Sequence, residues 1–268
     1  MRLSSRQAQW DISFLDGNDA VRSDAFGISK EAKAVRYPIR LLRYWFGYHL
    51  LREEYGQART PFDVCEIGVD SGQMLQFANS GKALTRDPVS WNTWTAVDAV
   101  LKREQLESAG YRDLVEANLE AGPLTLGRQY DAVILLHVLE HLFDPEAAMR
   151  EISAIVRPGG LVIGGFPVLP GFLVKIWQRQ LRKKARPMGH VSVFSPGRVK
   201  TMGAQAGLQT EFLSGAFFMR SKGRWMENYG GWMRFNLAFG AMFPSWPGEI
   251  YWSMRKPAAS VDPSGAPR

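Results

Sequence analysis

Phe62-Asp63-Val64-Cys65-Glu66-Ile67-Gly68-Val69-Asp70-Ser71-Gly72 is an apolar strand that runs at once into a turn of small residues and then a helix. Such a turn needs glycine where φ is positive or where a ligand touches backbone. At the carboxyl end of a first parallel strand, it lies where open α/β sheets bind ligands. The glycines are Gly68 and Gly72, with Asp70 between them. A dinucleotide site calls for G-x-G-x-x-G, so that backbone can approach a pyrophosphate. An aspartate in the turn would repel a pyrophosphate and suits a ligand carrying an ammonium group. Glu66 adds a second carboxylate.

On both sides of this stretch, short apolar runs alternate with longer amphipathic ones. Strands are predicted over residues 62–67, 94–97, 114–115, 130–136 and 161–166, and helices over 72–80, 101–108, 145–156 and 196–206. This alternation predicts an α/β fold, a doubly wound sheet covered by helices on both faces. Two later strands, 208–217 and 249–254, flank an aromatic-rich insertion at 218–247 that holds Trp225, Trp232 and Trp246. A carboxylate ending the second strand, Asp98, is placed to accept hydrogen bonds from both hydroxyls of a ribose.

Residues 1–60 read as an N-terminal helical cap, with a helix over 30–55 in which Pro38 sits near the start or separates two helical pieces. Residues 61–257 form the binding domain, with insertions near 168–190 and 218–247. A tail rich in Pro, Ala, Ser and Gly, 258–268, is expected to be disordered. The chain has 268 residues, 46% hydrophobic and 22% charged, which supports a sizeable core. A single cysteine, Cys65, excludes an intramolecular disulfide. No secretory signal or membrane span is read, so a cytoplasmic location is expected. The net charge of +7 favours anionic partners.

The segment 66–72 resembles the first motif of class I S-adenosyl-L-methionine (SAM)-dependent methyltransferases, the broad group that includes ubiquinone-biosynthesis and sugar or lipid methylases. That motif reads acid-x-Gly-x-Gly-x-Gly, and Asp70 stands at its middle glycine. Asp98 matches the acid of the second motif. Tyr130-Asp131-Ala132-Val133-Ile134-Leu135-Leu136-His137-Val138-Leu139-Glu140-His141-Leu142 closely resembles the fourth-strand signature of the group. The resemblance implies a Rossmann-like methyltransferase sheet, mostly parallel with the last strand antiparallel, and SAM as cofactor. It implies Glu66, Gly68, Asp70, Gly72 and Asp98 around that cofactor, Asn118 at the adenine edge, and His137 lining the pocket through its backbone.

Methyl transfer to oxygen is served by a base, and histidine titrates in the right range. His190 is the first candidate catalytic base and His141 the second; His49 reads as structural. No metal site is assigned. Residues 172–186 form a basic amphipathic helix: Lys175, Arg179, Arg182 and Arg186 share one side, and Leu173, Val174, Trp177 and Leu181 occupy the other. It points to a small-molecule or lipid-linked, anionic acceptor and to peripheral contact with the inner face of a membrane. The competing readings are a SAM-binding module without catalysis, prompted by Asp70, and an RNA methyltransferase, prompted by the charge alone. No specific nucleic-acid motif is found.

Overall fold

The computed structural model of the protein describes residues 6–16, 22–84, 88–183, 186 and 189–258. Its sheet has seven strands: β1 Phe62–Ile67, β2 Trp91–Asp98, β3 Asp113–Glu116, β4 Tyr130–Leu136, β5 Val156–Val168, β6 Gln209–Gly215 and β7 Gly248–Arg255. Their spatial order is β3-β2-β1-β4-β5-β7-β6. Strands β1 to β5 are parallel, and β7 slots antiparallel between β5 and β6. The doubly wound, mostly parallel sheet with an antiparallel last strand is therefore the observed fold. The order reverses between β1 and β4, and the crevice at that switch point is where such sheets take ligands.

The helices are α1 Lys30–Lys33, α2 Leu42–Ala58, α3 Gln73–Leu84, α4 Arg103–Ala109, α5 Pro145–Ala154, α6 Gly171–Lys183, α7 Pro196–Gln205 and α8 Gly230–Met242. Local sequence sets several starts. Asp144 and Ser195 cap α5 and α7, accepting from Ala147 N at 2.9 Å and Arg198 N at 3.3 Å, each with proline opening the helix.

Successive strand residues feed opposite faces, as the pleat requires. Val64, Ala132, Ile134, Leu161 and Ile163 join Trp45, Phe46 and Tyr48 of α2. Cys65, Val133, Leu135 and Val162 join Met149 and Ile152 of α5 with Val199 and Met202 of α7. Burial of each large apolar side chain here contributes roughly 1.5–3 kcal/mol.

The segment expected to form the N-terminal cap packs onto the sheet. Ile12, Phe14 and Leu15 are buried in the same cluster as the sheet, because Asp11 and Trp10 reach His49 on α2. His49 Nε2 lies 3.1 Å from the Asp11 carbonyl and its ring stacks on Trp10 at 5.1 Å. Burial pulls its pKa down to about 4, so His49 is neutral and structural, as the sequence implied. Of the two places expected for Pro38 in the helical stretch 30–55, it takes the one between two helical pieces. Pro38 has no N–H to continue a helix, and a short 3-10 turn, Ile39–Leu41, links α1 to α2. The expected tail lies outside the described residues apart from Ala258.

The α6 helix differs from its helical-wheel reading. Leu173, Val174, Gln178 and Leu181 turn inward, whereas Trp177 is exposed with Phe172 and Ile176. Gln178 fixes this orientation: it donates to the Val191 carbonyl and accepts from Val193 N at 2.9 Å. No helix among the described residues is long and apolar enough to cross a membrane.

Candidate active site

The carboxyl ends of β1, β2 and β4 meet at one crevice. Ile67 pairs with Val97 on one side and Leu135 on the other. The turn after β1 is therefore flanked by Asp98 and by His137. Gly68 has φ +73°, and a Cβ there would collide with the Val138 side chain. Its N–H is spent on the Val97 carbonyl at 2.8 Å, so its contribution is conformation. Gly72, at φ +77°, passes close to Tyr111, 2.8 Å from where a Cβ would stand.

Asp70 adopts φ +47°, a left-handed conformation that aspartate tolerates better than most residues. Its carboxylate pairs with Lys102, which also reaches Ser71 Oγ at 3.3 Å. The negative charge expected to face a ligand ammonium is thus answered by the protein's own lysine. Asp70 contributes instead through its backbone, donating its N–H to Asp98 Oδ2 at 3.0 Å. Asp98 Oδ1 takes Val100 N at 3.4 Å. These two contacts fix the carboxylate and leave lone pairs for a diol.

Glu66 is the carboxylate that lies inside. It is 5% exposed, accepts from Trp94 Nε1 at 2.9 Å and from Tyr111 Oη at 2.5 Å, and borders a cavity of about 210 Å³. Burial pushes its pKa up to about 7, with Asp98 adding to the rise and the two hydrogen bonds opposing it. The same cavity is lined by Arg43, Tyr44, Gly68, Gln73 and His137. Arg43 Nε is buried there without a hydrogen-bond partner.

A carboxylate and a guanidinium in one cavity match the ammonium and carboxylate of an amino acid, and Asp98 matches a ribose. The residues present therefore fit SAM. Asn118 is exposed, and its Oδ1 accepts from Glu120 N at 2.9 Å. Its amide nitrogen and the second lone pair of Oδ1 are left for an adenine edge.

His137 has φ +59°. Its N–H donates to the Gly165 carbonyl at 2.8 Å, and the residue lines the cavity, as expected of it. The ring is largely buried beside the cavity. Nδ1 lies 3.0 Å from Glu140 Oε1, and Nε2 lies 3.7 Å from Glu249 Oε1 with no hydrogen-bond partner. Burial lowers the His137 pKa from its ordinary value, against the pull of Glu140.

Glu249 borders a second cavity of about 380 Å³, and Arg43 lines both. His141 and His190 face each other at 4.9 Å. They bring ligand atoms to within 4.8 Å of buried Glu140, but neither lines the two cavities. Sequence reading missed Arg43, Arg220 and Glu249. They come from α2, from the segment after β6 and from β7, and no local motif joins them.

A crevice that pairs an amino acid site with a ribose acid, on this strand order, defines a SAM-dependent methyltransferase. Comparison with known proteins agrees: residues 36–211 match the family model described as a methyltransferase domain, and the chain belongs to that family. The ubiquinone biosynthesis O-methyltransferase of Aeromonas salmonicida (strain A449) is 35% identical over 95 residues, 34% of this chain and 40% of that protein. The protein of the same description from Caulobacter sp. (strain K31) is 33% identical over 119 residues, 41% of this chain and 44% of the relative. The chain thus spans less than half the length of these curated relatives. An O-methyltransferase family protein from Burkholderia thailandensis shares the fold, with a TM-score of 0.51 at 13% identity over 83% of this chain and 58% of that one.

The cofactor cavity has a testable pH signature. Below about pH 7 Glu66 carries a proton and offers no charge to an ammonium. Affinity for S-adenosylhomocysteine is expected to rise from pH 6 to pH 8, approaching about tenfold per unit below the Glu66 pKa. Calorimetric titration across that range checks it. Glu66→Gln should flatten the curve and bind more weakly at pH 8; parallel curves for the two proteins would refute the assignment.

Proposed function

We propose that the chain transfers the methyl group of SAM to an oxygen of a small or lipid-linked acceptor, with the His137 ring as general base. The observation that carries this reading is the place of the ring, which lies beside the cofactor cavity and 3.7 Å from a carboxylate of the neighbouring cavity. SAM supplies an electrophilic methyl on a sulfonium. The protein's part is to align an acceptor hydroxyl and remove its proton. Glu140, 3.0 Å from Nδ1, favours a proton on that nitrogen and leaves Nε2 free to accept. Nε2 takes the hydroxyl proton as the oxygen gains the methyl carbon. The ubiquinone O-methyltransferase relatives support an oxygen acceptor.

The lipid-linked part of the reading is supported by α6. Phe172 is 78% exposed and Ile176 57% exposed, with Trp177 beside them and Lys175, Arg179 and Arg182 along the same helix. Apolar side chains flanked by lysine and arginine suit the surface of an anionic membrane. The test is incubation with methyl-labelled SAM and cell-extract fractions, aqueous in one arm and dispersed in anionic vesicles in the other. A labelled methyl ether in either arm is the expected product. Label only in amines or carbon-bound methyl groups, or none in any fraction, would contradict the reading.

A further inference from the structure

We propose that the second cavity binds a phosphate group of the acceptor through Arg40, Arg43, Arg220 and Lys222. The inference rests on the reading of this cavity as the acceptor side of the methyl-transfer site. Those four cations line the cavity with only two carboxylates, Glu227 and Glu249.

Neither carboxylate is free to neutralise them all. Glu227 is fully engaged by the fold: Oε1 accepts from Ser221 Oγ at 2.5 Å and Gly223 N at 3.0 Å, and Oε2 from Ile39 N at 3.1 Å. Glu249 accepts from Tyr251 Oη with one oxygen, and its other oxygen is shared between Arg220 and Arg43, the latter at 3.7 Å. Among the described residues Arg40 and Lys222 make no ion pair. Burial, together with Arg43 and Arg40, lowers the Arg220 pKa from its ordinary value. Among the described residues Glu249 is the carboxylate paired with these cations, shared by Arg220 and Arg43.

The frame that holds them is preformed. Glu227 ties the segment carrying Lys222 to the 3-10 turn carrying Arg40, and Gly223, at φ +81°, packs against the backbone of Ala32. Three guanidiniums and an ammonium outnumber the two carboxylates, which suits an anion. Guanidinium forks also fit phosphate oxygens in pairs. The cavity adjoins the His137 ring through Glu249 and the cofactor cavity through Arg43. An anchored phosphate would therefore place the rest of the acceptor against the transferable methyl.

The test is calorimetric titration of full-length protein saturated with S-adenosylhomocysteine, using inorganic phosphate, acetate, glycerol 3-phosphate and vesicles containing phosphatidic acid. Phosphate is expected to bind and acetate not to. Arg40→Gln, Lys222→Gln and Arg220→Gln should each weaken phosphate by about tenfold, the scale of one charge-assisted hydrogen bond. Binding of glycerol 3-phosphate assigns a soluble acceptor, and binding of the vesicles a lipid headgroup. Either supports the proposal when the variants lose it.

Phosphate binding equal in wild type and all three variants, acetate binding as well as phosphate, or no binding of any phosphate probe would overturn it. Arg40 and Lys222 are exposed, so their variants should fold, and retained S-adenosylhomocysteine binding verifies this. Failure of wild type to bind S-adenosylhomocysteine would strike the methyltransferase reading itself. Binding of that ligand without any phosphate would strike only this inference.

Discussion

Replacing His137 with asparagine is expected to lower kcat by about 10²–10⁴, the usual contribution of a positioned base, while S-adenosylhomocysteine affinity stays within a few-fold of wild type. Asparagine is the informative choice. The residue sits at φ +59°, a conformation asparagine tolerates, so the backbone is not the variable. The variant removes Nε2 from its place beside the Glu249 carboxylate. Because burial holds His137 neutral to lower pH than a free histidine, wild-type kcat should climb through an inflection below the ordinary histidine value and then level. In the variant that inflection should vanish. Full activity in His137→Asn, with an unchanged pH profile, would show that alignment alone drives the reaction.

Gly68→Ala should be the most damaging single methyl that can be added to the site. Two effects combine. A side chain at φ +73° costs about 1–2 kcal/mol, and the new Cβ collides with the Val138 side chain. The turn must then shift, taking Asp70 N away from Asp98 and disturbing the rim of the Glu66 cavity. A melting temperature lower by roughly 4–8 °C is expected for a loss near 2 kcal/mol in a domain of this size. Cofactor affinity should fall by about a hundredfold, as for other displacements near 1 Å. Adding Val138→Ala should recover part of the stability, because it removes the collision but leaves the φ penalty. Unchanged binding in Gly68→Ala would mean that the turn does not shape the cofactor cavity.

The sequence made the strands that build the crevice legible, because their signals are local. The expected bounds of β1 and β4 coincide with the observed Phe62–Ile67 and Tyr130–Leu136. Both are predominantly apolar runs closed by a sharp turn. Strand β5 was underestimated, since Arg157-Pro158-Gly159-Gly160 reads as a turn. In the structure β5 starts at Val156, which pairs with Tyr130.

The roles of the acids separate only in three dimensions. Glu66 points into the cavity, whereas Asp70 turns to Lys102, a residue thirty-two positions away. His137 was legible as a pocket position. Its ring became prominent only in three dimensions, where Glu140 and Glu249 lie beside its two nitrogens. His190 and His141 gather at Glu140, a convergence that spacing in the chain does not encode. The four cations of the second cavity come from the 3-10 turn before α2, the start of α2 and the segment after β6, which only the tertiary packing brings together.

Calorimetric titration of the wild-type protein at pH 8 with S-adenosylhomocysteine, and in parallel with NAD, addresses the crevice most directly. One site per chain for S-adenosylhomocysteine, lost on Asp98→Ala, and no heat from NAD is the predicted result. Saturable NAD binding, or S-adenosylhomocysteine binding that Asp98→Ala leaves intact, would contradict the account.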